Sequence, residues 1–116
     1  MNTGYAVVLS TIDSERKAEI LAKKILRKKL AACVQIQKIK SFYRWKGQTE
    51  HAEEYLLMIK TAADLFSQLS EFIRQNHSYE TPEIVQIPIT EASKEYLDWM
   101  ADEIQPLKTL KFDPRE

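Results

Sequence analysis

Four side chains able to bind or polarise a ligand lie close together in the segment 77–83: His77, Tyr79, Glu80 and Glu83. An imidazole and two carboxylates are groups that hold divalent metals or transfer protons. The segment 84–89 that follows is rich in β-branched residues, which favours a strand, and its proline places that strand at or near a sheet edge. The pattern predicts a polar loop on a rigid scaffold, where binding residues often lie. A plain connector with surface polar residues explains it equally well.

Other candidate residues have more ordinary explanations. Cys33 opens an apolar strand and is interpreted as a small buried hydrophobe. His51 lies among glutamates near a hairpin tip, a composition that resembles a metal cluster but is typical of a solvated hairpin. Tyr43 and Trp45 are interpreted as packing residues. Lys60 ends an apolar strand, so its amine is expected to reach a cleft or to pair with a carboxylate.

The composition indicates one domain and excludes several classes of protein. The 116 residues predict a single domain over 1–116, and 44% of them are hydrophobic, as in ordered globular proteins. Lys and Arg number 17, as do Asp and Glu, so no net field favours nucleic acid or an anionic membrane. One cysteine excludes an internal disulfide, and no apolar run approaches the ~20 residues of a membrane span. Without a signal-peptide pattern, a cytoplasmic location is expected.

The first part of the chain predicts a strand followed by a helix. The continuous apolar run at 5–10 has strand length and predicts a central strand buried on both faces. Asp13 or Ser14 can cap a helix whose apolar residues recur at helical spacing over 18–26. The cations near the end of this helix are favoured there by the helix dipole, so we interpret them as a solvated helix end and not as a nucleic-acid patch.

The rest of the chain predicts a hairpin, two helices and further strand. Strands over 31–45 and 53–60 flank a turn around Gly47. A second helix is capped by Asp64, the fourth strand follows the polar loop, and a third helix ends before Pro106. The weak alternation at 107–112 predicts a short edge strand.

This order of elements, β-α-β-β-α-β with an extra C-terminal helix, predicts an α+β, ferredoxin-like fold with an antiparallel sheet and both main helices on one face. Apolar residues nevertheless alternate on both faces of the third strand. We therefore expect the second face to pack against another subunit, because monomers rarely expose such a patch. A charge at Leu57 is expected to disrupt that interface.

Five short segments support a resemblance to a known family. They are LAACV at 30–34, YRWKG at 43–47, IKT at 59–61, YETPE at 79–83 and YLDW at 96–99. Each is weak alone, but their order and spacing resemble the CutA family, the divalent-cation tolerance proteins. The resemblance implies a ferredoxin-like fold, a tight homotrimer built sheet to sheet, and a role in metal tolerance with copper binding. It implies no settled enzymatic activity.

Departures from the family pattern modify what is expected of the metal. Some members place a copper-ligating cysteine where this chain has Ser10, and two adjacent histidines where it has Asn76 and His77. We therefore expect weak binding of Cu(II) or another divalent cation, with His77 as the anchor and Glu80 as the nearest carboxylate. The fold is expected to form without any cofactor.

A second hypothesis follows from the implied trimer, which resembles that of the PII signalling proteins. Those proteins bind small effectors in clefts between subunits, so we expect a cleft across a subunit boundary, a small anionic effector and an unidentified protein partner. The predicted cleft residues are Tyr43, Trp45, Lys60, His77, Tyr79, Glu80 and Glu83. A polar network that only pins the loop explains them equally well.

A third hypothesis, an enzyme that uses the cleft, has less support. The sequence has no nucleophile motif with a nearby base and no glycine-rich phosphate loop. Glu80 and Glu83 form a carboxylate pair, but nothing in the sequence places them across a substrate. We do not expect an enzyme.

Overall fold

Four strands and three helices make up the part of the chain that the structure, a computed structural model, describes, residues 3–106. They are β1 (Tyr5–Ile12), α1 (Glu15–Arg27), β2 (Cys33–Trp45), β3 (Gln48–Ala62), α2 (Phe66–Gln75), β4 (Val85–Ile89) and α3 (Lys94–Glu103). The order matches the predicted α+β, ferredoxin-like arrangement with an added C-terminal helix. The strand predicted at 107–112 lies outside the described residues. No helix within 3–106 is long and apolar enough to cross a membrane.

The helix starts show which predicted caps form. Ser14 caps α1, because its side-chain oxygen accepts a hydrogen bond from the Lys17 backbone N–H at 3.0 Å. The cap predicted at Asp64 is wrong. A 3₁₀ turn over Ala63–Leu65 precedes α2, and Leu65 occupies the cap position with no side-chain cap bond. Asp64 instead lies in the first turn of that 3₁₀ segment.

The sheet is antiparallel throughout, with strand order β2-β3-β1-β4. The prediction of an edge strand containing Pro88 is confirmed, since β4 pairs only with β1 among the described strands. β1 lies between β3 and β4 and is fully buried on the face that includes Ala6 and Val8. Its other face, which includes Val7 and Leu9, is only partly buried in the single chain.

The main core lies between one sheet face and the helices α1 and α2. Leu57 and Ile59 of β3 belong to it and are 0% exposed, together with Leu21 and Ile25 of α1 and Leu69 of α2. The prediction that Leu57 faces another subunit is therefore wrong. Leu57 pairs in register with Ser10, so the two side chains lie on the same face of the sheet, the one that packs against the helices.

The opposite sheet face, here called the open face, contains the neighbours of Leu57 along the strand. One row across it consists of Gln35, Met58, Leu9 and Val85, which pair in register on four successive strands. Val85 is 46% exposed in the single chain. A second small core at one end of this face joins α3 to the sheet, and it contains Ala62, Leu65, Met100 and Ile104.

The β2–β3 hairpin extends well beyond the rest of the sheet. β1 pairs with residues 55–62 of β3, whereas β2 continues to pair with β3 as far as Trp45 and Gln48. At the turn, Lys46 and Gly47 both have positive φ values, 52° and 82°, as a tight hairpin requires. The result is a two-stranded arm over 39–54, and the polar loop after α2 lies against its base.

Candidate functional site

The loop between α2 and β4 is fixed by its own side chains. Asn76 donates through Nδ2 to the Phe72 carbonyl at 2.9 Å as α2 ends. The Tyr79 backbone N–H donates to His77 Nδ1 at 3.0 Å, so Nδ1 is the acceptor nitrogen of a neutral ring. His77 Nε2 then donates to the Thr11 carbonyl at 2.7 Å. Both ring nitrogens of His77 are thus engaged in holding the loop to the end of β1.

The side chain of Tyr79 then ties the loop to the hairpin. Its hydroxyl donates to Glu54 Oε2 at 2.7 Å, and Glu54 is only 8% exposed. Burial, followed by the hydrogen bond to Glu54, raises the pKa of Tyr79 well above its ordinary value. The His77 ring packs on Tyr79 with centroids 4.8 Å apart, which fixes the direction in which the phenol points.

Between this loop and the arm lies a cavity of about 680 Å³, a size typical of small-molecule sites. Its lining residues are Thr11, Ser41, Phe42, Tyr43, Trp45, Glu54, Tyr79, Glu80, Thr81, Pro82 and Glu83. Three of them are glutamates and four are aromatic, and none of the lining residues that the structure describes is basic. An anionic effector, as predicted from the sequence, would meet three carboxylates in this lining, and the nearby Lys46 ammonium lies over the Trp45 ring, 5.8 Å from its centroid.

Five of the seven residues predicted for a cleft line this cavity. They are Tyr43, Trp45, Tyr79, Glu80 and Glu83. All five come together within one chain, whereas the prediction placed the cleft across a subunit boundary. His77 lies behind the loop in a smaller cavity of about 310 Å³, beside α1. Its position matches the alternative hypothesis, a polar network that pins the loop.

Lys60 lies apart from the other predicted residues. Because a strand rises about 3.3 Å per residue, Lys60 lies about 20 Å further along β3 than Glu54. Its ammonium is 5.3 Å from the ring centroid of Tyr96, at the end of the sheet that α3 covers. This is a cation–π contact with a packed helix. The amine therefore supplies no positive charge to the cavity in this chain.

The two residues predicted to ligate a metal line different cavities. Glu80 lines the larger cavity and His77 the smaller one. Within residues 3–106 no group of three or more His, Cys, Asp or Glu side chains is placed to hold a metal ion. Ser10, at the position where some CutA proteins have a cysteine, is fully buried in the single chain. The described geometry thus offers few ligands to a metal.

The remaining candidate residues do not line the larger cavity. Cys33 is a free thiol at the start of β2, and it is half-buried where the sequence predicts a buried residue. His51 lies on the arm, exposed, with its ring 5.5 Å from that of Phe42. Glu53 forms an exposed ion pair with Lys38 at 3.5 Å.

Sequence reasoning missed Glu54 as a member of the site. In the sequence Glu54 is one of several glutamates beside His51, and nothing there distinguishes it as the one that the fold buries. The register places Glu54 opposite Ile39, immediately beyond the last β3 residue that pairs with β1, where Tyr79 reaches it. The alternation of polar residues marks one strand face but does not indicate which loop covers it.

The fold and the cavity define a class of protein: a small ferredoxin-like α+β protein whose polar loop closes a ligand-sized cavity against its own hairpin. The family model described as CutA1 divalent ion tolerance protein matches residues 6–103. The chain belongs to this CutA1 family.

Individual relatives agree with this assignment. The chain is 43% identical to the divalent-cation tolerance protein CutA of Archaeoglobus fulgidus over 95 residues, which cover 82% of this chain and 93% of the relative. It is also 43% identical to the CutA of Thermus thermophilus over 97 residues, covering 83% and 94%. A solved structure described as the periplasmic divalent cation tolerance protein CutA from A. fulgidus has a TM-score of 0.85 at 40% identity, covering 87% of this chain and 99% of the other.

Proposed function

We propose that this chain is a homotrimeric divalent-cation tolerance protein of the cytoplasm that binds a divalent cation such as Cu(II) weakly and catalyses no reaction. The observation that carries the proposal is the match of residues 6–103 to a family named for tolerance to divalent ions. Weak binding follows from the geometry of His77, because a metal must displace one of two hydrogen bonds to reach a ring nitrogen.

The proposed trimer is supported by the open face. Leu9, Met58 and Val85 form an apolar row there that no described element covers. Among the described strands, β2 pairs only with β3, so its other edge can pair with another subunit. Light scattering at micromolar concentration should give three times the 13.6 kDa chain mass. A stable monomer or dimer would contradict the proposal.

The cytoplasmic location is tested separately. The relative from A. fulgidus is described as periplasmic, so relatives alone do not assign the compartment. Fractionation of cells that express the full chain, with marker proteins for each compartment, should recover it with the cytoplasmic markers. Recovery with the periplasmic or membrane markers would contradict this part of the proposal.

Calorimetric titration with Cu(II) tests the metal. We expect weak, saturable binding that His77→Ala reduces, because the variant lacks the proposed imidazole ligand. His51→Ala is the matched control, since the other histidine lies exposed on the arm. Glu80→Gln leaves the hydrogen bonds of His77 in place and removes the second proposed ligand. Tight stoichiometric binding that survives both the His77 and Glu80 changes would show that the metal binds elsewhere.

A second candidate function is that of a PII-like trimer that binds a small effector and signals to a protein partner. The cavity beside Tyr79 supports it, since its size and mixed polar and aromatic lining are those of a small-molecule site. An effector protein should bind a metabolite and change its shape or its partner without consuming the metabolite. Turnover of the bound compound would contradict both candidates and favour an enzyme.

A further inference from the structure

Glu54 is a buried carboxylate with no counter-ion among residues 3–106. It is 8% exposed, yet no cationic side chain within residues 3–106 forms an ion pair with it. Tyr79 satisfies Oε2. Oε1 has no hydrogen-bond partner among those residues but, unlike Ser10 Oγ and Gln86 Oε1, it is not fully buried and remains accessible. Glutamates are almost never buried unless they are paired, because an unpaired buried charge is strongly unfavourable. Glu54 lines the cavity, so a ligand in the cavity can supply the absent positive charge.

The walls of the cavity favour a cation that also has an apolar surface. Phe42, Tyr43 and Trp45 line it and remain 68%, 44% and 45% exposed in the single chain, which is unusual for large aromatic side chains. The faces of aromatic rings attract cations, and they attract quaternary or primary ammonium groups in particular. Glu80 and Glu83, both exposed, add negative charge at the same cavity.

An organic cation fits this lining better than a metal ion does. A metal ion needs several oxygen or nitrogen ligands converging on one point, and no group of three such residues converges within 3–106. A metal also gains little from a wall of aromatic carbon. An ammonium group needs one or two carboxylate oxygens and gains from each aromatic face.

We propose that the cavity between the arm and the 77–83 loop binds a small organic ammonium cation. Its charged nitrogen pairs with Glu54 Oε1, and its carbon groups pack on Trp45 and Tyr43. This inference deepens the second candidate function and rests on the cavity being an effector site. It gives that effector a chemical class opposite in charge to the one that the sequence suggested.

Titration of the full chain with tetramethylammonium tests the proposal. In a Trp99→Phe background, the fluorescence of Trp45 reports on the cavity, since these are the two tryptophans of the chain. We expect saturable quenching by tetramethylammonium and no saturation by tert-butanol, which is similar in shape and uncharged. Glu54→Gln should weaken binding about tenfold or more, because it removes the buried charge. Glu53→Gln, on the exposed neighbour paired with Lys38, should leave the affinity within about twofold.

A second variant keeps the test decisive if Glu54→Gln disturbs the fold. In Glu54→Gln, the new amide oxygen can still accept the hydrogen bond from the Tyr79 hydroxyl. A thermal melt of this variant measures whether the fold keeps its stability. Trp45→Leu removes an aromatic wall and leaves Glu54 and the loop unchanged, so tetramethylammonium binding measured by calorimetry should weaken. Unchanged affinity in both variants would overturn the site.

Other ligands separate failure of the ligand class from failure of the effector site. Saturable binding of inorganic phosphate in place of tetramethylammonium would overturn the ammonium proposal and leave an effector site standing. Saturable binding of Mn²⁺ that Glu54→Gln abolishes, with no ammonium binding, would assign the cavity to a metal. Binding of none of these probes would overturn the ammonium proposal and remove the support that the cavity gives to the second candidate function.

Discussion

The hydroxyl of Tyr79 and the carboxylate of Glu54, 25 positions apart in the sequence, meet at 2.7 Å and join the polar loop to the base of the hairpin arm. This contact closes one side of the cavity, and both residues line it. His77 prepares the contact by fixing the backbone of Tyr79. The geometry of the cavity therefore depends on a chain of three side chains from two parts of the sequence.

Tyr79→Phe should lower the free energy of unfolding by about 1–3 kcal/mol, because it leaves a buried carboxylate without its hydrogen bond. The pKa of Tyr79 is raised in the folded state, so the proton that it holds stabilises the fold below the unfolded pKa of ~10. This contribution is lost as the pH rises above ~10 toward the folded pKa. Urea denaturation at neutral pH and above pH 10 measures the effect.

The matched control for this experiment is Tyr55→Phe, since no hydrogen bond of the Tyr55 hydroxyl is among those that the structure describes. The wild type and Tyr55→Phe should lose more stability above pH 10 than Tyr79→Phe does, because only they retain the strongly shifted phenol. An identical pH dependence in all three proteins would show that Tyr79 titrates normally.

Removing either of two buried hydroxyls in the sheet should change the stability of the protein, in opposite directions. Thr61 donates to the Leu30 carbonyl at 2.6 Å, and both residues are buried. Thr61→Val keeps the volume and leaves that carbonyl unpaired, so it should destabilise the protein by about 1–3 kcal/mol. Ser10 is 0% exposed, and its Oγ has no hydrogen-bond partner in the part of the chain that the structure describes, so Ser10→Ala should stabilise the protein by about 1 kcal/mol. Thermal and urea unfolding compare the two, and destabilisation by Ser10→Ala would contradict the assignment.

A charge on the open face should break the proposed trimer. Met58→Glu places a carboxylate in the middle of the apolar row with Leu9 and Val85, where an interface would bury it without a partner. Light scattering should show dissociation or loss of folded protein. Gln68→Glu, exposed on α2, is the control and should leave the mass unchanged. A trimer that tolerates Met58→Glu would show that subunits meet through a different surface.

The order of the elements was predictable because each has a local signal. The proline of β4 indicated its edge position, Gly47 indicated the hairpin turn, and Ser14 indicated the start of α1. The orientation of β3 was not predictable, since both of its faces are apolar and alternation alone does not indicate which one meets the helices. The pairing of Leu57 with Ser10 decides it, and that register is a property of the folded sheet.

The candidate site was predicted in part for a similar reason. The loop residues and the arm aromatics were recognisable by type, and the fold brings five of them together. Lys60 was assigned to the same place because it ends a strand, but strand length puts it at the far end of the sheet. His77 was assigned to a metal by its chemistry, whereas the backbone conformation of the loop decides what its nitrogens contact.

The strand order also sets the sequence of events in folding. β1 is synthesised before β3 and β4, which are its partners in the sheet. Tyr5 therefore cannot pair until Ala62, and later Ile89, has been made. The pairing of β2 with β3 is local in sequence, so this hairpin can form at an early stage, before β3 pairs with β1. As the chain leaves the ribosome, β1 thus stays unpaired until residues 55–62 of β3 have been made. Its apolar residues are the stretch that most needs protection during that interval.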